Sequence, residues 1–512
     1  MHLSLLWSRQ GDAGGTIAEL AEILRVEGLR VTTEVAEASV DGISRGSKPG
    51  FEGWLHRRQF VIGPEPIRPY SEWIVRELPN GRYLSHCPTL PVQDSEHGVV
   101  LGLAIASDDR GDPDSWAGRW ALLTGTNLSL DASGLLGIFV RGQWVSSSPE
   151  LLRSIAPELP LPARKLQYGQ GMDWFAPPRS GIDGIGRLLP SQTIDVATGE
   201  VSARTLLAHV PQRSDRHRVT ALADRLVHAI NAVGKRYDEV LVPLTAGRDS
   251  RLVLAAAIAA GVEVTAYTFF HPHMREIDRT LAPRLAASVG VRHFSITPGE
   301  QRPEILALFD RHCAHHCVEA NRAAFATRAI GWSIGNVAVL SGDVFEVGRC
   351  YFHGIVPPTL SEEVLETNAV FTPDPQEGVG IRKWARWIED HPEPLDWRDR
   401  CYIEQILGGW VSSVAQAGDL AGPETISVAN SRRFISEFLQ FPEPVRRKAF
   451  HHHAVLEALS PELARFPINL SGSRTIARLR RELRLVRSEK VHYIQGRVRA
   501  VRAYRAGRRL AP

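Results

Sequence analysis

The sequence predicts an α/β protein: a β-rich amino-terminal region, then a doubly wound parallel sheet with a helical carboxyl-terminal part. Three observations carry this reading. Between Val240 and Gly261 an apolar run passes through a small-residue turn into a helical period. From there to Ile296 strand and helix patterns alternate with short connections, the order that builds a parallel sheet with ligands outside its carboxyl ends. Before about residue 205 short apolar runs alternate with turn signals instead.

In chain order, Leu122–Val145 is punctuated by Gly125-Thr126-Asn127, Asp131–Gly134 and Arg141-Gly142. Thr193–Val196 reads as a strand ending in a hairpin turn at Thr198-Gly199-Glu200. Residues 203 to 237 hold Pro211, an arginine-rich polar stretch and a helix from about Arg218 to Lys235, which marks a boundary. Val240–Leu244 is the buried strand, with Pro243 near its end, where a lost ladder donor matters least. In Thr245-Ala246-Gly247 the side chains are small enough for a ligand to approach the backbone. Leu252, Val253, Leu254, Ala257 and Ile258 then fall at helical spacing, and Gly261 stands at the C′ position. A helix starting at such a turn offers free N–H groups and a positive dipole end, which suit a phosphate. Val262–Phe269 is a second strand, His271-Pro272-His273 a break, and Asp278–Val289 a helix that includes Pro283 and is closed by Gly290. Val291–Ile296 is a third strand. Val337–Leu340 is another, with Ser341–Glu346 as its exit turn, and beyond Glu389 the chain reads as largely helical.

Composition narrows the setting. A chain of 512 residues, 43% hydrophobic, can bury two or three domains. It has no run of 18 apolar residues, and Met1-His2-Leu3-Ser4 opens without a signal-like core, so no membrane span is expected. Five cysteines in this length are not a disulfide framework, and a cytoplasmic location follows. The segment Arg474–Pro512 holds thirteen basic and two acidic residues, +11, so the remaining chain carries −8 of the overall +3. With Ile476, Leu479, Leu483 and Val486 at helical spacing, this tail suits a helix packed on an acidic body, or a nucleic-acid or lipid contact. In Arg311–Cys317 the pairs His312/His316 and Cys313/Cys317 share helical faces. One short helix does not deliver four converging zinc ligands, so core packing is the expected role here and at His451-His452-His453.

Thr245-Ala246-Gly247-Arg248-Asp249-Ser250 resembles the S-G-G-x-D-S PP-loop of ATP pyrophosphatases, as in asparagine synthetases. Ser341-Gly342-Asp343-Val344-Phe345-Glu346 is similar to the S-G-[ED]-G-x-D motif of asparagine synthetases and β-lactam synthetases. Gly118-Arg119-Trp120 and Asp131–Gly134 resemble elements of the amino-terminal, Ntn-type glutaminase domain of that family. Asp278 and His293 match its Asp opening the second helix and its His before the third strand. The likeness covers most of residues 115–470. It implies a degenerate glutaminase-like domain (1–205) and an ATP-binding synthetase domain (206–473), beyond which the charge count sets off the basic tail (474–512).

The resemblance also assigns roles. Thr245, Ala246, Gly247, Arg248, Asp249, Ser250 and Gly342 fall where ATP is held, Asp249 and Glu346 where Mg2+ is coordinated, and Asp343 where the catalytic base stands. His453 takes the place of the lysine in K-x-x-L-R, while Ala246 and Val344 replace family glycines. Glutaminases of this type use an amino-terminal cysteine as nucleophile. Here no cysteine precedes Cys87, so glutamine hydrolysis is not expected. The implied activity is ATP-dependent amide-bond formation: a small-molecule or peptide carboxylate is adenylated and then attacked by an amine. A PP-loop tRNA-modifying enzyme and a non-catalytic nucleotide-binding scaffold stay open as alternatives. A nucleic-acid partner is the less favoured one, and a homodimer is an allowed assembly.

Overall fold

Three sheets organise the chain in the computed structural model, which describes residues 55–468 apart from 109–110, 163–165, 167–171, 271–273, 275, 297–302, 319–335, 369–370 and 372–374. The chain start at Met1 and the basic tail 474–512 lie outside the described residues. Packing divides the chain into Met1–Leu55 and His56–Pro512, and all three sheets belong to the second unit.

Two six-stranded antiparallel sheets come first. One runs in the spatial order Gly186–Arg187, Phe139–Arg141, Trp144–Ser146, Phe60–Gly63, Tyr83–His86, Ile74–Glu77. The other runs Val201–Ala203, Gln192–Asp195, Asn127–Leu130, Trp116–Thr124, Gly98–Ala106, Val92–Ser95. The turns read from the sequence join neighbouring strands in both, as at Thr124↔Asn127, Arg141↔Trp144 and Ile194↔Val201. The sheets face each other over Phe60, Ile62, Leu84 and Val145 from one and Leu101, Leu123, Leu128 and Ile194 from the other. Inward apolar residues alternating along each strand supply this core.

The third sheet is parallel throughout. Its strands are β1 (Glu239–Pro243), β2 (Val264–Phe269), β3 (Arg292–Ile296), β4 (Val337–Ser341) and β5 (Glu424–Ser427), in the spatial order β3-β2-β1-β4-β5. Connecting helices are α1 (Asp215–Arg236), which precedes β1, α2 (Arg248–Ala259) between β1 and β2, and α3 (Glu276–Ser288) between β2 and β3. Pro283 sits inside α3 without ending it. Gly261 closes α2 at φ +67°, the left-handed conformation that a C′ glycine supplies. β5 lies within a region the sequence presents as helical. Its four residues, ETIS, are too short for a period, and pairing with β4 alone makes them a strand. The remaining carboxyl-terminal elements are helical, including a ten-residue π-helical stretch at Tyr402–Val411 and α4 (Phe450–Leu459).

One buried core joins the antiparallel region to the parallel one, with Leu103, Ile105, Ala117 and Leu189 among the side chains of α1, α2 and β1. Polar contacts seal the same boundary. Arg119 Nη1 and Nη2 donate to the two oxygens of Asp419 at 2.9 and 3.0 Å, a buried bidentate pair. Asn430 Nδ2 donates to Gly118 O at 2.7 Å and to Asp131 Oδ1 at 2.8 Å. Gly118, at φ +97°, has no room for a side chain, since a Cβ there would lie 2.3 Å from Leu103 O. Among the described residues no helix is long and apolar enough to cross a membrane. The run from Arg311 packs as core: His312 Nδ1 accepts from His56 N at 3.0 Å, and His316 lies against the Phe139 and Phe175 rings. All five cysteines are buried and free.

Candidate active site

Strand order decides where a ligand belongs in such a sheet. The chain leaves β1 toward β2 on one side and later returns on the other as β4, so the order reverses between β1 and β4. Connections on opposite sides open a crevice at the carboxyl ends of those two strands. The segments leaving them are the loop Thr245–Gly247 and the turn Gly342–Glu346, which the sequence singles out independently.

The loop is held from within and from both flanks. Thr245 N donates to Ser250 Oγ and Gly247 N to Thr245 Oγ1, both at 3.1 Å. Ala246 N donates to Asp278 Oδ1 at 2.9 Å, so α3 fixes one side. On the other, the buried guanidinium of Arg251 donates to Ala246 O at 2.9 Å and to the carbonyls of Phe466 and Pro467 at 2.9 and 3.1 Å. His293 Nε2 meets Thr268 Oγ1 at 2.8 Å, and that hydroxyl donates to Leu244 O at 2.9 Å, bracing the strand just before the loop. Ala246 thus has its main chain fully engaged and its side chain buried. A phosphate would meet the first turn of α2, whose N-cap Gly247 has no side chain to occupy the free N–H groups.

The turn after β4 comes close because Gly342 has no side chain: a Cβ there would sit 3.2 Å from Asp249 Cβ. Asp249 and Glu346 then converge on one cation. Arg349 Nη2 donates to Asp249 Oδ2 at 3.0 Å and also contacts Glu346 Oε2. Asp249 Oδ1 is buried with no hydrogen-bond partner. Loss of water pushes the Asp249 carboxyl above its usual value, and Arg349 and Arg248 pull it back. Asp343 reaches solvent yet is closely ringed by protein. That enclosure raises its carboxyl; hydrogen bonding to Ser341 opposes the rise, and the nearby charge of Asp249 adds to it. Burial lowers the affinity of Arg248 for its proton, and Arg349 lowers it further, so two guanidinium groups share the crevice.

Three residues that the sequence reading did not assign to the site join this group. Arg349 bridges the carboxylates. Tyr402 is buried, its hydroxyl pushed well up by desolvation, with Tyr351, Asp249 and Asp343 adding and Arg349 opposing. His452 is buried and held neutral by desolvation, with His451 and Arg349 as like charges, and its Nε2 donates to Phe345 O at 3.0 Å. His453, the residue read from the sequence, has its side chain exposed on α4. One position is about 100° around a helix, enough to turn a side chain from a packed face to solvent. Only the identity of Arg349, three residues after Glu346, offered a local clue.

The unpartnered Asp249 oxygen and the adjacent Glu346 carboxylate form a donor set suited to a hard divalent cation such as Mg2+, which takes one or two carboxylates together with phosphate oxygens.

No protein-family model and no curated protein matches the chain. Among solved structures, a glutamine-dependent NAD+ synthetase from Acinetobacter baumannii, in complex with ADP, is 17% identical with a TM-score of 0.20. The match covers 42% of this chain and 40% of that one. An NMN synthetase from Francisella tularensis is 13% identical with a TM-score of 0.20, over 46% of this chain and 97% of that one. Similarity at that level carries no argument about fold or activity.

Proposed function

We propose that this protein is an ATP-dependent ligase that adenylates a substrate carboxylate and joins it to an amine. The observation that carries the reading is the meeting of the Thr245–Gly247 loop and the Gly342–Glu346 turn at the point where strand order reverses, with Asp249 and Glu346 on a shared cation. The motif resemblance supports the same reading, and the paired antiparallel sheets are in keeping with a glutaminase-like amino-terminal half.

In this reading the first turn of α2 and Arg248 receive the β- and γ-phosphates. Asp249 and Glu346 would hold Mg2+, which would neutralise charge on the phosphate oxygens. An oxygen of the substrate carboxylate attacks the α-phosphorus and pyrophosphate leaves. The amine then attacks the acyl carbon and AMP leaves, while Asp343 accepts the proton that the amine must lose. Enclosure that raises the Asp343 carboxyl makes it a better base than an ordinary carboxylate.

Arg349 favours one second reading. A guanidinium already seated on both carboxylates is what a non-catalytic scaffold would keep in place of a metal ion. Calorimetry with Mg–ATP and exchange of labelled pyrophosphate into ATP separate the two. The ligase reading expects Mg-dependent ATP binding that Asp249→Asn weakens roughly tenfold or more. Equal Mg–ATP affinity for wild type and variant removes Asp249 from the metal site. Absence of pyrophosphate exchange with any carboxylate leaves the scaffold.

A further inference from the structure

Behind the carboxylate turn lies a second constellation that the ligase reading does not use. Cys350 stands between two 3-10 turns, Phe345–Arg349 and Tyr351–Gly354, with φ at 54°, a left-handed backbone that side-chain-bearing residues adopt rarely. Its thiol, a ring nitrogen of His353 and a carboxylate oxygen of Asp399 all lie within 4.8 Å of one another, and all three residues are buried. Among the described residues this is the one group of its kind.

We infer that Cys350, His353 and Asp399 bind a zinc-class metal ion. The hydrogen-bond geometry divides the surrounding atoms into ligands and their supports. His353 Nε2 lies 3.1 Å from Asp399 Oδ1, close to the edge of a tetrahedron around zinc, about 3.3 Å for bonds of about 2.0 Å. The other ring nitrogen, Nδ1, is buried without a hydrogen bond and faces Glu443 Oε1 at 3.4 Å. A carboxylate beside that nitrogen is placed to steady its N–H once Nε2 ligates an ion. Asp399 Oδ2 is held by Arg446 Nη2 at 2.8 Å, which leaves Oδ1 for the ion. A thiolate, an imidazole and a carboxylate suit zinc better than magnesium or calcium, whose ligands are oxygens.

Charge is nearly balanced. The ionised thiol and the two carboxylates offset Arg446 and a divalent ion, and the one further positive charge, Arg447 at 3.3 Å from Glu443, is half exposed to water. Three protein ligands leave one position for water. Bound metal would tie the turn after Arg349 to the helices Trp397–Cys401 and Glu443–Arg447, behind the segment carrying Asp343, Glu346 and Arg349. The inference does not depend on what the crevice catalyses.

The test uses the full chain without an affinity tag, stripped with a chelator and titrated with Co2+ as a spectroscopic stand-in for zinc. One equivalent is expected to bind with a thiolate-to-cobalt charge-transfer band, which also separates this site from the histidines at 451–453. Cys350→Ser should lose the band, and Glu443→Gln should bind about 10–100-fold more weakly. No binding by the wild type, or a spectrum without the thiolate band, overturns the proposal, as does an unchanged band in Cys350→Ser. If Cys350→Ser fails to fold, the wild-type spectrum together with the weakening in Glu443→Gln decides, because Glu443 is partly exposed and its loss is tolerable.

Discussion

Acidification should destabilise this protein through histidines that its core keeps neutral, and His312 gives the clearest case. Its Nδ1 accepts from His56 N at 3.0 Å, so that nitrogen cannot carry a proton, while Nε2 donates to Gln416 O at 2.8 Å. Protonation would break the first bond and place a charge in a buried site. Burial accordingly brings the His312 pKa down to about 4, and His316, between two phenylalanine rings, likewise falls to about 4. An unfolded histidine titrates near 6.5. Below that value the unfolded chain binds protons that the folded chain refuses, so stability is full above about pH 6.5 and drains away toward about pH 4. Moving from about pH 7.5 to about pH 5 costs about 2 kcal/mol for each such histidine, or about 4 for the pair. Against a typical total of about 5–15 kcal/mol that is a large fraction. Urea unfolding followed by tryptophan fluorescence measures it. His312→Asn keeps an acceptor near Nδ1 but cannot titrate, so its stability should fall with pH less steeply than the wild type's, by about 2 kcal/mol across that interval. Parallel curves for the two proteins would refute the reasoning.

Asp343→Asn should leave pyrophosphate exchange largely intact while amide formation drops by about 10²–10⁴, the usual worth of a positioned base; loss of exchange as well would make Asp343 a structural or metal residue. Arg349→Gln should tighten binding of Mg2+ alone, since the guanidinium and the ion compete for Asp249 and Glu346, and calorimetry showing unchanged or weaker binding contradicts that competition. Asp419→Asn, which breaks the buried fork from Arg119, should cost about 3–5 kcal/mol of stability by urea unfolding, and a loss under about 1 kcal/mol would show that the pair is not isolated from water.

What could be read from the chain was whatever depends on neighbours in sequence. Turn residues between short apolar runs give the hairpins, and β–α alternation gives β1 to β3 because each connection is short. The loop after β1 and the turn after β4 stand out because small residues and carboxylates are adjacent in sequence. What stayed hidden depends on approach in space. β5 exists only because β4, more than 80 residues earlier in the chain, offers it an edge. Tyr402 comes within the field of Asp249, Arg349 and Asp343 from a π-helical segment whose composition resembles any buried helix. Choosing His453 over His452 is a question of which side of α4 faces Phe345, and three histidines in a row give the pattern no preference.

Arg251 has a consequence for how the molecule is made. The two Nη groups of its buried guanidinium donate to main-chain carbonyls alone, one in the Thr245–Gly247 loop and the others at Leu463, Phe466 and Pro467. β1 and α2 emerge midway through synthesis, but the acceptors that hold the loop from one side arrive more than 200 residues later. A growing chain can therefore possess the strand, the helix and the turn between them while lacking the clasp that sets the turn's shape. The loop is finished only when the end of the helical region returns to it, so a chain cut short before residue 466 would carry its motifs intact and its site unassembled.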